Sequence, residues 1–128
     1  MRALLDTHTF LWWNTDDPRL SATARECIAA MDNEIFLSAA SAWEIAIKAA
    51  RGRLELPEPP DRYVASRMVL HRFQALAVQA SHALQTYYLP PLHQDPFDRL
   101  LVAQAQLEGV PLLTADPAIA QYDVPIVW

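Results

Sequence analysis

The chain has 128 residues, 52% of them hydrophobic and 20% charged, which is enough apolar material to bury one core and excludes both a disordered segment and a large composite enzyme. Its two glycines, Gly52 and Gly109, are too few for the clustered-glycine loops that cradle nucleotide phosphates. A net charge of −5 and a pI near 5.2 exclude a generally basic nucleic-acid coat protein. Charge is nonetheless segregated: residues 45–75 carry a net +3, leaving −8 elsewhere. The single Cys27 forms no internal disulfide, and no signal peptide or apolar run of the ~18 residues a membrane helix needs is present. The expectation is one cytoplasmic domain over residues 1–128 that makes no use of a membrane.

The chain opens with Arg2-Ala-Leu-Leu-Asp6, a short apolar strand ending in an acid, and residues 7–13 read as a helical turn or two. Ser21 is placed to cap a helix reaching about Asp32, and residues 34–38 form a second strand. Residues 39–51 are helical, with Gly52 suited to the C-terminal cap. A loop follows at Pro57, Pro59 and Pro60, then a helix over 61–72 and a strand candidate over 73–78. The spacing next predicts a helix over 81–88, stopped by Pro90-Pro91, and another from Asp95-Pro96 to Glu108, capped by Gly109. A strand over 110–114, a short helix over 117–121 and a strand over 124–128 complete the order. Strands separated by helices require crossover connections, so the fold class is α/β: a three-layer α/β/α sandwich around a mostly parallel sheet. Cys27 falls in the apolar stripe Leu20, Ala24, Cys27, Ile28, Met31 and reads as a buried structural thiol.

Open parallel sheets bind ligands outside the carboxyl ends of their strands. Asp6 ends the first strand, and Asp116 lies two residues beyond Thr114. Glu44 and Asp98 are expected in the first turns of helices that can face the same end. Like charges gathered in a partly dry site must be neutralised by protons or cations, and Mg²⁺ or Mn²⁺ is the cation whose all-oxygen preference fits. Such an ion polarises a phosphoryl group and activates water, so the predicted chemistry is phosphodiester hydrolysis. Zinc fits less well, because His8, His71, His82 and His93 show no paired ligand spacing. Each acid also has an ordinary structural explanation. Ser41 and Glu44 can form a capping box, Asp95, Asp116 and Asp6 can cap helices, and Asp98 gains from a helix dipole. Those explanations leave unexplained why every such cap should be acidic at one rim of the sheet.

Leu4-Leu-Asp6-Thr-His8, Ser38-Ala-Ala-Ser-Ala-Trp-Glu44-Ile-Ala-Ile-Lys48, Asp95-Pro-Phe-Asp98-Arg-Leu-Leu-Val-Ala-Gln-Ala105 and Leu113-Thr-Ala-Asp116 together resemble the PIN domain, most closely its VapC-type ribonuclease toxins. The resemblance covers the whole chain in order. It implies an α/β/α sandwich, Mg²⁺- or Mn²⁺-dependent endonuclease activity on RNA, and inhibition by a cognate antitoxin whose tail occludes the acidic pocket. Asp6, Glu44, Asp98 and Asp116 match the family's catalytic, metal-binding acids, with Thr114 and Asp95 as supporting neighbours. His8 stands where many relatives carry Asn.

An RNA backbone needs cationic contacts, for which Lys48, Arg51 and Arg99 are the candidates; Arg99 can alternatively orient a carboxylate or form a surface salt bridge. Trp12, Trp13 and Trp43 can stack on a base, but their apolar surroundings favour packing or an oligomer contact, and a homodimer is expected. Two other functions compete. One is an aspartyl-phosphate phosphatase with Asp6 as nucleophile, although His8 occupies the place of its usual second acid. The other is a PIN-like module that binds a metal or a partner without hydrolysis.

Overall fold

A computed structural model describes all residues, 1–128. Strand β1 (Arg2–Leu5) leads through Asp6 into α1 (Thr7–Thr15), then come α2 (Ala22–Ala29), β2 (Glu34–Ser38), α3 (Ala39–Ala50), α4 (Pro60–His71), β3 (Gln74–Leu76), α5 (Ala80–Gln85), α6 (Pro96–Glu108), β4 (Leu112–Leu113), α7 (Pro117–Ala120) and β5 (Ile126–Val127). The five strands lie in the order β3-β2-β1-β4-β5 and every pairing is parallel. From central β1 the chain fills one side of the sheet, then returns to add β4 and β5 on the other. The order reverses between β1 and β4, the switch point at which such sheets bind ligands.

Successive strand residues point to opposite faces, so each strand feeds two cores. Ala3, Leu5, Ile35, Leu37 and Leu113 pack with Phe10, Leu20, Cys27, Ile28, Ile45 and Tyr63 under α1 to α4. Leu4 and Leu112 pack with Leu101, Val102, Ala105, Ile119 and Tyr122 under α6 and α7. These are the two interfaces of a three-layer sandwich. Cys27 is buried in the first.

Several elements are shorter than expected, for local reasons. The predicted strands over 110–114 and 124–128 contract to two residues each because Pro111 and Pro125 lack the N–H that would extend the ladder, and only their carbonyls are used, by Leu4 and Leu112. The helix expected over 81–88 stops at Gln85 and tightens into a 3₁₀ turn over Thr86–Tyr88. The second helix ends at Ala29, short of Asp32. Gly52 and Gly109 take the left-handed conformation just past α3 and α6, at φ +69° and +66°, as expected of helix-ending glycines. No helix is long and apolar enough to cross a membrane.

Ser38 joins sheet to helix. Its hydroxyl accepts from the Ala40 amide at 3.0 Å, capping α3, and donates at 2.5 Å to Oε1 of fully buried Gln104 on α6. Gln104 Nε2 in turn donates to the Ala77 carbonyl at 3.2 Å. Ser38→Ala removes a cap and strands a buried amide oxygen, so it is expected to lower unfolding free energy by about 1–3 kcal/mol. Urea denaturation should show this as a lower midpoint at unchanged slope.

Candidate active site

Asp6 sits where β1 ends and α1 begins, only 4% exposed. Its Oδ1 accepts from the Thr9 amide at 2.7 Å, and its Oδ2 accepts from Thr114 Oγ1 at 2.5 Å. The same Thr114 oxygen accepts from the Asp116 amide at 3.0 Å, so one hydroxyl links the ends of β1 and β4. Asp116 caps α7 through Oδ1, which accepts from the Ala118 amide at 2.9 Å. Burial raises the pKa of Asp6, and the Thr114 and Thr9 hydrogen bonds offset part of that rise.

Glu44 projects from α3 and is likewise 4% exposed. Its Oε1 accepts from Thr7 Oγ1 and its Oε2 from Lys48 Nζ, both at 2.6 Å. The first-turn position and the Ser41 capping box expected for it are corrected here. Ser38 is the N-cap of α3, so Glu44 falls in the second turn, beyond reach of a capping role. Ser41 is itself fully buried, 3.0 Å from Thr7 Oγ1.

Asp98 lies in the first turn of α6, its amide donating to the capping Asp95 carboxylate at 2.9 Å. Its Oδ2 is 3.3 Å from His93 Nε2, and His93 Nδ1 is 2.7 Å from the Tyr122 hydroxyl. Burial, followed by the negative charge of Asp95, pushes Asp98 up to about 6, with His93 opposing and Asp116 and Glu44 adding to the rise. Asp98 thus senses the charges of Glu44 and Asp116, Thr114 joins Asp116 to Asp6, and Thr7, next in sequence to Asp6, holds Glu44. All four acids expected at this rim are found there.

They do not form a closed cage: no three acidic, histidine or cysteine side chains lie close enough together to enclose an ion. The tight acidic cup expected from sequence is therefore corrected to a looser rim. Asp6 and Asp116 turn toward the amides they cap, Glu44 turns toward Thr7 and Lys48, and like charges repel. Mg²⁺ retains several waters and needs only one or two carboxylates, so an open rim of hard oxygen donors suits it.

Among the cations, Lys48 keeps donors free beyond its contact with Glu44, and Arg51 is exposed. Arg99, expected to meet RNA or a carboxylate, instead donates to the Thr86, Leu89 and Pro90 carbonyls and to the Tyr122 hydroxyl, fastening the 3₁₀ turn to α6. Trp12 and Trp13 pack at the edge of the first core. Trp43, expected in apolar surroundings, is 62% exposed and lies edge-on to Phe97 at 5.2 Å, a contact between the helices bearing Glu44 and Asp98. His8 is exposed and holds no acid. Thr7 and His93 were not singled out from sequence. Thr7 had one signal, its place directly after Asp6; His93 had none, because the turn that brings it back to Asp98 is tertiary.

A parallel α/β/α sandwich with carboxylates gathered at its switch point is a doubly wound α/β domain with an acidic ligand-binding rim. Residues 3–125 match the PIN domain family, and the chain belongs to that family. It is 30% identical to Ribonuclease VapC22 of Mycobacterium tuberculosis, covering 98% of this chain and 97% of that one. A 69-residue stretch is 45% identical to Ribonuclease VapC16 of the same organism, about half of each chain. In fold the chain is similar to VapBC2 from Rickettsia felis, solved bound to a promoter DNA fragment, at a TM-score of 0.73 and 15% identity over 98% of this chain and 97% of that one. It is also similar to FitAcB from Neisseria gonorrhoeae, at 0.64 and 17% over 97% and 95%.

The raised Asp98 has a consequence for stability. An unfolded Asp loses its proton near the ordinary value of 3.8, whereas folded Asp98 keeps its proton to about 6. Stability therefore falls as pH rises through that interval, and the penalty is complete above it. In metal-free buffer Asp98→Asn is expected to stabilise the protein at pH 8 by on the order of 1–2 kcal/mol, discounted for partial exposure, with the gain vanishing below pH 4. Thermal melts across pH check this.

Proposed function

We propose that this protein is a divalent-metal-dependent endoribonuclease, the toxin of a toxin–antitoxin pair, which hydrolyses RNA phosphodiester bonds. The observation that carries the reading is the gathering of acids at the carboxyl end of the sheet: Thr114 links Asp6 to Asp116, Thr7 beside Asp6 holds Glu44, and Asp98 stands in the first turn of α6. Asp98 is raised to about 6, by burial first and then by Asp95, with Asp116 and Glu44 adding smaller amounts that a bound cation would relieve. Family membership, the two ribonuclease relatives and the structural likeness to VapBC complexes support the same reading. VapC-type PIN nucleases are generally dependent on divalent metals, and Mg²⁺ or Mn²⁺ is the proposed ion here.

Asp6, Glu44, Asp98 and Asp116 are the candidates to hold it, one or two directly and the others through the waters the ion keeps. When bound, the ion supplies Lewis-acid polarisation of the phosphate and lowers the pKa of water. The chain's own residues prepare the rim. Thr114 and Thr9 hold the Asp6 carboxylate in one orientation, and His93, braced by Tyr122, orients Asp98. Thr7 and Lys48 fix Glu44, and Lys48 offsets one negative charge, easing the approach of an anionic backbone. Lys48 and Arg51 supply the first phosphate contacts. The antitoxin, as in the family, covers the acidic rim, and the RNA substrate implies action in the cytoplasm.

The phosphatase alternative loses support. Asp6 is buried with both oxygens hydrogen-bonded, which suits a fixed ligand better than an attacking nucleophile. Purified protein freed of antitoxin should cleave single-stranded RNA with Mg²⁺ or Mn²⁺ and lose that activity in chelator. Asp6→Asn should lower cleavage by at least about 100-fold, corresponding to about 2.7 kcal/mol of transition-state stabilisation. The ion should also raise the melting temperature of the wild type and not that of Asp6→Asn. Metal-independent cleavage, or full activity in Asp6→Asn, contradicts the proposal; metal binding without hydrolysis of any RNA favours a binding module.

A further inference from the structure

A cavity of about 360 Å³ lies beside the rim, within the size range of sites that bind small organic groups. His8, Trp12 and Arg19 line both this cavity and the depression that contains Asp6 and Asp116, so the two are adjacent. It also abuts Glu44, because Thr7 and Lys48, the two side chains bonded to that carboxylate, form part of its wall. None of the four acids needs this space.

Its lining combines three kinds of chemistry. The Trp12 indole is covered on one face by the Arg19 guanidinium at 4.7 Å, with the His8 ring 5.8 Å away and Trp128 edge-on at 6.0 Å, so the planar surface left open to the cavity is that of Arg19, whose side chain is 68% exposed. Lys48 is paired with Glu44, and Arg19 grips Asp17 through two hydrogen bonds. Arg53 and Glu55 line the same cavity with no side-chain partner, one a donor only and the other an acceptor only. A flat ring whose edge carries donors and acceptors side by side satisfies all three features at once. Unpaired nucleobases are recognised in this way, by stacking on aromatic or guanidinium planes and by hydrogen bonds to their edges.

The geometry points to this cavity as the seat of the unpaired base next to the scissile phosphate, stacked on the Arg19 guanidinium that covers Trp12 and read by Glu55 and Arg53. Guanine is the matching base. Its N1–H and N2–H donors stand side by side for a carboxylate, and its O6 accepts from a guanidinium. The assignment deepens the ribonuclease reading and rests on it.

The test uses single-stranded RNA hexamers differing only in the base at one position beside the cleaved bond. Wild-type protein should prefer guanine there. Glu55→Gln and Arg53→Ala, both exposed positions, should each reduce that preference by about tenfold or more, read as the ratio of cleavage rates between hexamers so that a uniform loss does not count. Binding of the same labelled hexamers to Asp6→Asn, followed by anisotropy, reads the cavity apart from catalysis. Cleavage with base preference unchanged in both variants overturns the cavity assignment and leaves the nuclease reading intact. No cleavage by wild type with either ion, but guanine-selective binding that Glu55→Gln abolishes, overturns the nuclease reading and upholds the cavity. Unchanged base preference together with escape from antitoxin inhibition in both variants assigns the cavity to a peptide and overturns the proposal.

Discussion

Holding several carboxylates at one rim, with Asp6 almost out of reach of water, is electrostatically unfavourable, and much of the fold limits that cost. Three of the four acids are held by hydrogen bonds from groups whose positions are set elsewhere, and Asp116 by the local Ala118 amide. Thr114 reaches Asp6 from β4, Thr7 reaches Glu44 from α1, and His93 reaches Asp98 from the loop ahead of α6. Removing water strengthens every charge interaction inside the rim, favourable or not. Hydrogen bonds and one ammonium relieve part of the cost, and Asp98, raised to about 6 by burial first and by its acidic neighbours after it, retains the rest. In the proposed reaction, the unrelieved remainder is what a hard cation at the rim would neutralise.

The caps and the site are the same residues. Asp6 and Asp116 satisfy the free amides of α1 and α7, and Asp95 does so for α6 while standing beside Asp98. A carboxylate has two oxygens, so at Asp116 one caps the helix and the other is left to the rim, whereas at Asp6 the second oxygen accepts from Thr114. Capping also locks the carboxylate's direction, which a loop residue would have to secure by other means. Structural and functional explanations of these acids are therefore compatible at three positions. At Glu44 they are not, since its second-turn place leaves no capping role.

Much of the site was legible because helix caps and strand ends are local. The apolar run into Asp6, the Asp95-Pro96 start and the Thr114-Ala-Asp116 segment each mark a strand end or helix start within a few residues, and a parallel sheet brings strand ends to one side. Arg99 was misread because its partners, the carbonyls of residues 86–90 and the Tyr122 hydroxyl, come together only when the 3₁₀ turn folds against α6. Trp43 was misread because a tryptophan among alanines and isoleucines looks buried until its helix face is known.

Sequence by itself determined the order of elements, the parallel sheet and which acids stand at its carboxyl rim, since these follow from periodicity, prolines and the crossover rule. Tertiary structure alone decided how close the acids come, which of their oxygens are already taken, and that a cavity with unpaired Arg53 and Glu55 opens beside them. Those properties depend on side-chain directions set by packing between elements as much as 108 residues apart, as Thr114 and Asp6 are. No local pattern encodes such distances.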